Sequence, residues 1–354
     1  MSKPLEGKRV LVTGGTGSLG QVLVRRLLGG EAGEPAKIIV FSRDEAKQHQ
    51  MRVGHLERHS ATDEVIYSNF TRLLDFRIGD VRDPHAVAAV LRDADVVFNA
   101  AALKQVPTCE YFPFEAVATN VGGPENIVRA IREHRLPVET VVGVSTDKAC
   151  KPINVMGMTK AIQERILIRA NLDCPGTRFV CVRYGNVLAS RGSVVPLFIE
   201  QIANGGPLTI TTPDMTRFFL SLDQAVDTIL AALEGAHAGE TYIPRVPSAR
   251  MTDVARALIA GREVEIAFTG IRPGEKTHEV LISEEEAHRT VARGDYYVIL
   301  PILPELRLEP PLAVLGAEYS SADNLMSVGA CAELLERHGL TAGRLLRREG
   351  DLLR

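Results

Sequence analysis

Four consecutive residues, Ser145-Thr146-Asp147-Lys148, set a hydroxyl, a carboxyl group and an amine directly after the apolar run Thr140 to Val144. A carboxyl and an amine so placed can give up and take up protons, provided burial or neighbours lower the pKa of the amine. The alternative is a surface ion pair at a strand end. Shortly after, Asn154-Val155-Met156-Gly157-Met158-Thr159-Lys160 brings a second lysine. Near the amino end, Thr13-Gly14-Gly15-Thr16-Gly17-Ser18-Leu19-Gly20 joins a β-branched run to a helical one. Its glycines permit a tight turn, close approach of backbone to a pyrophosphate and close packing of helix on sheet, while the helix start adds partial positive charge. In that setting the run reads as a dinucleotide-binding loop, with Thr13, Gly14, Thr16, Gly17, Ser18, Leu19 and Gly20 as candidate contacts.

The choice of dinucleotide falls at the end of the second strand. An NAD site usually carries a carboxylate there for the ribose hydroxyls. This chain has Phe41-Ser42-Arg43-Asp44, with Lys47 one turn on. A hydroxyl and a guanidinium suit a 2′-phosphate, so Ser42, Arg43 and Lys47 point to NADP. The rival reading gives the ribose to Asp44 and leaves Arg43 in solvent. Asp80 and Val81 are positioned for the adenine edge, and Ala100, Ala101 and Ala102 for the nicotinamide ribose, although each could be an ordinary strand end.

These residues need a frame. Arg9 to Val12, Lys37 to Phe41, Asp95 to Asn99, Thr140 to Val144 and Arg178 to Val182 read as strands, and Gln21 to Leu28 as a helix. Continuous apolar strands separated by helices imply a parallel sheet covered on both faces, the Rossmann-type doubly wound α/β fold. After Tyr184 the rhythm breaks into loops, apart from a helix near 223–233. The expected division is a dinucleotide-binding domain over residues 1–184, with a return helix near 221–235, and a mainly substrate-binding domain over 185–354. A chain of 354 residues suits one large unit plus a smaller one, and no repeat interrupts it.

Composition narrows the function further. The formal charge of −3 and dispersed arginines offer no basic field for nucleic acid. No apolar stretch is long enough for a membrane span, and the start lacks the apolar core of a signal peptide, so a cytoplasmic protein is expected. Cys109, Cys150, Cys174, Cys181 and Cys331 show no Cys-x-x-Cys pair and read as free thiols. His55 and His59 stand four apart, but in a segment so rich in polar residues they read as an exposed helix face. No metal is expected.

The glycine spacing is that of short-chain dehydrogenases, and further runs sharpen the likeness. They are Ala101-Ala102-Leu103-Lys104-Gln105-Val106-Pro107, Ser145 to Lys151, Arg183-Tyr184-Gly185-Asn186-Val187, Ser190-Arg191-Gly192-Ser193-Val194-Val195-Pro196, Met215-Thr216-Arg217-Phe218 and Arg272-Pro273-Gly274-Glu275-Lys276. Over roughly residues 10 to 280 the chain resembles the extended short-chain dehydrogenase/reductases, and within them the configuration-inverting UDP-N-acetylglucosamine 4,6-dehydratases. The resemblance implies hydride removal from carbon 4 of the sugar, loss of water across carbons 5 and 6, and hydride return to carbon 6, without net use of cofactor. It implies Asp147 as acid for the departing hydroxyl and Lys148 as base and proton donor at carbon 5, with Thr146 beside them.

It also exposes a departure. Met156 stands where most of the superfamily has a tyrosine four residues before the lysine, and methionine cannot ionise. Lys160 remains for the nicotinamide ribose, and a water, Lys104 or Lys148 is left to relay the proton. A subgroup of the resembling dehydratases shares the methionine. Substrate contacts implied by the resemblance are Lys104, Asn186, Arg191, Val195, Pro196, Thr211, Met215 and Arg217 around the nucleotide sugar, with Arg272 and Glu275 near the uridine diphosphate. Helices starting near Pro113 and Met156 are expected to pair subunits into a homo-oligomer. Two other readings stand beside this one: a UDP-hexosamine epimerase, and a non-catalytic NADP-binding regulator favoured only by Met156.

Overall fold

The computed structural model describes residues 3–56, 72–188, 194–308 and 312–340. Its centre is a nine-stranded sheet whose strands lie in the order Thr290–Arg293, Tyr296–Ile299, Thr241–Pro244, Arg178–Val182, Thr140–Val144, Val96–Asn99, Arg9–Thr13, Lys37–Ser42 and Leu74–Ile78. The first six strands are β1 (Arg9–Thr13), β2 (Lys37–Ser42), β3 (Leu74–Ile78), β4 (Val96–Asn99), β5 (Thr140–Val144) and β6 (Arg178–Val182), all parallel. Successive residues of a strand point to opposite faces. On β1, Val10 and Val12 accordingly join one buried cluster with Leu23, Ile38, Val40 and Phe98. Leu11 joins the other, with Ile39, Val97, Val141 and Ile127. Two apolar faces require two layers of cover. One layer is led by the helices Ser18–Leu28 and Leu222–Gly235, the other by Pro84–Leu91, Gly123–His134 and Val155–Asp173.

Beyond β6 the chain builds a smaller unit from short elements. A three-stranded sheet holds β7 (Asn186–Val187), β9 (Thr216–Leu220) and β11 (Ser248–Arg250). The strands β8 (Leu208–Ile210) and β12 (Ile266–Phe268) pair with each other, as do β13 (Val280–Ile282) and β16 (Tyr319–Ser320). The helices Val194–Ala203, Met251–Ile259 and Val328–Arg337 close a separate core around Phe198, Leu208, Phe219 and Leu258. Three later strands rejoin the main sheet. The strand β10 (Thr241–Pro244) lies parallel to β6, while β14 (Thr290–Arg293) and β15 (Tyr296–Ile299) finish that edge antiparallel. The chain past residue 184 therefore contributes to both units. Among the described residues, no helix is long and apolar enough to cross a membrane.

Candidate active site

The strand order reverses between β1 and β4, and in open sheets of this kind ligands bind beyond the carboxyl ends of the strands at that point. A cavity of about 670 Å³ opens there. Its wall includes Gly14, Thr16, Gly17, Ser18, Leu19 and Gly20 after β1, Ser42, Arg43 and Lys47 after β2, and Asp80 and Val81 after β3. Ala100, Ala101, Ala102 and Lys104 follow β4 on the same wall, as do Thr146, Lys148, Met156 and Lys160 from further along the chain. Thr13 lies behind it, where its Oγ1 donates to Asn99 Oδ1 at 2.8 Å.

The loop after β1 fits a pyrophosphate. Gly14 has φ of +66°, and a Cβ there would stand 2.8 Å from the Ala101 backbone, so only glycine suits the position. The following helix has Gly17 as N-cap with no side-chain cap, which leaves its first N–H groups for an anion. At the ribose end, Lys47 Nζ pairs with Asp44 at 2.5 Å and, with the Lys47 backbone N–H, holds that carboxyl below its usual range. Arg43 is 58% exposed at its side chain and sits 3.7 Å from Asp80. Gln48, which the sequence did not single out, donates to the Ser42 carbonyl and to Ser42 Oγ, each at 3.0 Å. Ser42, Arg43 and Lys47 thus gather at the end of β2, with Lys47 paired to Asp44 and Arg43 beside Asp80.

The long helix Val155–Asp173 carries Met156 and Lys160. Its first turn is capped by Asn154, whose side chain accepts from Gly157 N at 2.8 Å and donates to the Gly274 carbonyl at 2.7 Å. A Cβ at Gly157 would come within 2.1 Å of the Lys148 carbonyl, so glycine lets the helix start close against the acid–base segment. Met156 is 5% exposed and packs against Cys109 and Ala116. Lys160 is equally buried and donates to Gln163 Oε1 at 2.5 Å. Burial brings its ammonium down to about 8.

Thr146, Asp147 and Lys148 form a tight group at the far end of the cavity. Asp147 is fully buried, and the cavity wall is made by its neighbours Thr146 and Lys148. The Thr146 hydroxyl donates to Asp147 Oδ1 at 2.8 Å. The Lys148 ammonium lies 3.1 Å from Asp147 Oδ1, 3.1 Å from Glu279 Oε1 and 3.4 Å from Asn186 Oδ1. Asp147 and Lys148 do form the ion pair considered from sequence, but with the carboxyl buried rather than at the surface. The expectation of a lysine with lowered pKa is corrected as well. Burial pulls Lys148 down, but Asp147 and Glu279 together outweigh it and the ammonium is raised. Burial pushes Asp147 above the carboxylate range despite Lys148, whereas Lys148 and Arg217 overcome burial at Glu279 and hold it low.

The expected substrate contacts disperse. Arg217 reaches the cluster, with Nε 3.9 Å from Glu279 Oε1, and Asn186 touches Lys148. Thr211 donates to Glu275 Oε2 at 3.1 Å, and Arg272 is exposed on the same loop. Val195 and Met215 face the core of the smaller unit at 1% and 5% exposure, with Pro196 half-buried beside Val195, and none of the three lines the cavity. Arg191 lies outside the described residues, as does His59. Glu279 is the residue that sequence reasoning missed.

A family profile described as polysaccharide biosynthesis protein matches residues 10–301. The chain is 42% identical over 332 residues to UDP-N-acetylglucosamine 4,6-dehydratase (inverting) of Campylobacter jejuni, covering 90% of this chain and 93% of that protein. It is 44% identical over 297 residues to a protein of Rickettsia conorii named UDP-glucose 4-epimerase, covering 82% of each. Among solved structures, Pen from Bacillus thuringiensis superposes with a TM-score of 0.83 at 32% identity, covering 95% of this chain and 99% of that one.

Proposed function

The chain belongs to the polysaccharide biosynthesis protein family, as an enzyme related to nucleotide-sugar dehydratases and epimerases, and from that premise we propose that it is an NADP-dependent UDP-N-acetylglucosamine 4,6-dehydratase inverting carbon 5. The observation that carries this reading is the buried Asp147–Lys148 couple, which meets the dinucleotide cavity at the end where Lys160 lies. An epimerase needs a hydride acceptor and a base for one hydroxyl. A dehydratase also needs an acid for a leaving hydroxyl and a group that moves the proton on carbon 5. Asp147 would supply the first when protonated, by way of Thr146, which lines the cavity and whose hydroxyl contacts Asp147 Oδ1. Lys148 is placed for the second.

The bound dinucleotide would accept and return a hydride. Gly14 to Gly20 would hold its pyrophosphate, Ser42, Arg43 and Lys47 its 2′-phosphate, and Lys160 its nicotinamide ribose. The inverting outcome is supported by the name of the Campylobacter relative. A homo-oligomer is part of the proposal. The helices Pro113–Val117 and Val155–Asp173, packed together through Ala116 and Met156, leave Phe114, Val117, Met158 and Ile162 exposed, an apolar patch that suits a second copy of the chain.

The epimerase reading stays as the alternative because of the Rickettsia names. Turnover in deuterium oxide separates the two. With UDP-N-acetylglucosamine, dehydration places one solvent deuteron at carbon 5 and leaves the NADP pool unchanged. A carbon-4 epimer without label at carbon 5 would decide for the alternative.

A further inference from the structure

The proposed chemistry leaves a difficulty at Lys148. An amine that takes the carbon 5 proton must first have a lone pair, yet Lys148 sits as an ammonium between two carboxyls. The groups facing it are Asp147 beside it, Asn186 on β7, Arg217 on β9, and Glu279 just before β13, with Lys276 on the same segment donating to the Cys150 carbonyl at 2.6 Å. His278 turns away, its ring against Thr216 Oγ1 at 2.8 Å. Two oxygens in this group are buried without a hydrogen-bond partner, Asp147 Oδ2 and Glu279 Oε2. Glu279 is 2% exposed, and Lys148 at 3.1 Å and Arg217 at 3.9 Å both approach its Oε1, while Oε2 has no hydrogen-bond partner. Buried polar atoms are normally paired, and an orphan of this kind calls for a role.

Building on the dehydratase reading, we propose that Glu279 completes the base: the Lys148 ammonium hands a proton to Glu279 as Lys148 takes the proton from carbon 5 of the sugar. The step balances. The C5–H bond breaks and its electrons form the C5–C6 double bond, the C6–O bond breaks with its electrons on oxygen, and Asp147 protonates that oxygen so that water leaves. Asp147 ends one proton poorer, Glu279 one proton richer, and Lys148 is unchanged. Glu279 is therefore a positioning residue that acts through Lys148. The directions of the two carboxyl shifts run the same way as the step requires, Asp147 raised by burial and Glu279 lowered because Lys148 and Arg217 outweigh its burial.

The test follows deuterium at carbon 5 in Glu279→Gln, which keeps the shape and removes the acceptor. Exchange and water loss fall by about a hundred-fold or more, while reduced NADP still forms on adding substrate, because hydride removal does not use Glu279. Loss of the Glu279 charge lowers the Lys148 ammonium, so the residual exchange climbs with pH across the alkaline range, where the wild type levels off. A purely structural role would not give this slope. Arg217→Gln supplies a second readout should Glu279→Gln fail to fold: without Arg217 the Glu279 carboxyl rises, and the acidic limb of the exchange profile moves to higher pH. Wild-type exchange rates in Glu279→Gln, or an unmoved acidic limb in Arg217→Gln, overturn the proposal. Absence of water loss in the wild type itself sinks the dehydratase reading instead, so the two failures are distinct.

Discussion

Met156 occupies the place from which a tyrosine would take the sugar hydroxyl proton, and its thioether fills a gap between Cys109 and Ala116. Packing of that kind is worth about 2 kcal/mol or more on truncation to alanine, but no proton moves through it. Met156→Ala is expected to lower thermal stability while keeping turnover within about ten-fold of wild type. Lys160→Ala is expected to lose turnover and cofactor binding, since no other ammonium lies where its buried one does. Stopped assays and a melting curve on both variants check this. At the other end of the cavity, Arg43→Ala is expected to weaken NADP by about ten-fold and leave NAD unchanged, because only NADP carries the charge the guanidinium meets. Titration of each cofactor reads that difference. Residues such as Arg43 and Lys148 were legible because a motif fixed their place. Glu279 was not: Thr277-His278-Glu279-Val280 carries no pattern, and only the fold brings that carboxylate to Lys148.

At the scale of elements, a buried network joins the two units. Arg183, after β6, pairs with Glu164 of the long helix at 2.6 Å and with Glu286 of the smaller unit at 2.8 Å, while Ser145 Oγ donates to Glu164 at 2.5 Å. All three charged side chains are nearly inaccessible, so removing one strands the others. Arg183→Met is expected to cost about 3–5 kcal/mol of stability, read as a shift in the denaturation midpoint. The network also sets an acid limit. Burial opposes ionisation of Glu286, yet Arg183 carries its carboxyl down to about 2. A lowered carboxyl stabilises the fold above its unfolded pKa, and that stability, on the order of 3 kcal/mol, is lost as pH falls from the ordinary carboxylate range toward 2. Chemical denaturation across that window should show the loss in wild type and a smaller one in Glu286→Gln.

Five of the six parallel strands were readable from apolar runs because they are covered on both faces, as with Ile38 to Phe41, whereas the half-exposed edge strand Leu74–Ile78 carries no such run. The return of β10, β14 and β15 to the sheet was not. Their runs are short, and they pair with partners that local periodicity does not reveal, as Thr241 does with Cys181. The return helix expected near 221–235 spans Leu222–Gly235, its start fixed by the capping box of Ser221 and Gln224.

At the scale of the molecule, the proposed subunit contact rests on the exposed Phe114, Val117, Met158 and Ile162. Replacing Phe114 and Ile162 together by aspartate is expected to yield monomers, seen by light scattering, with little loss of fold because both side chains are exposed. The main sheet places the glycine loop, Arg43 and Lys148 around one volume, with Asp147 and Glu279 buried against Lys148, and the family match spans residues from both units. As proposed, this arrangement removes water from a nucleotide sugar and resets its own cofactor. The mass spectrum of the product formed from UDP-N-acetylglucosamine and a catalytic amount of NADP measures it directly. A sugar nucleotide lighter by one water, formed in excess of the NADP supplied, is the expected result; an isomer of unchanged mass contradicts the account.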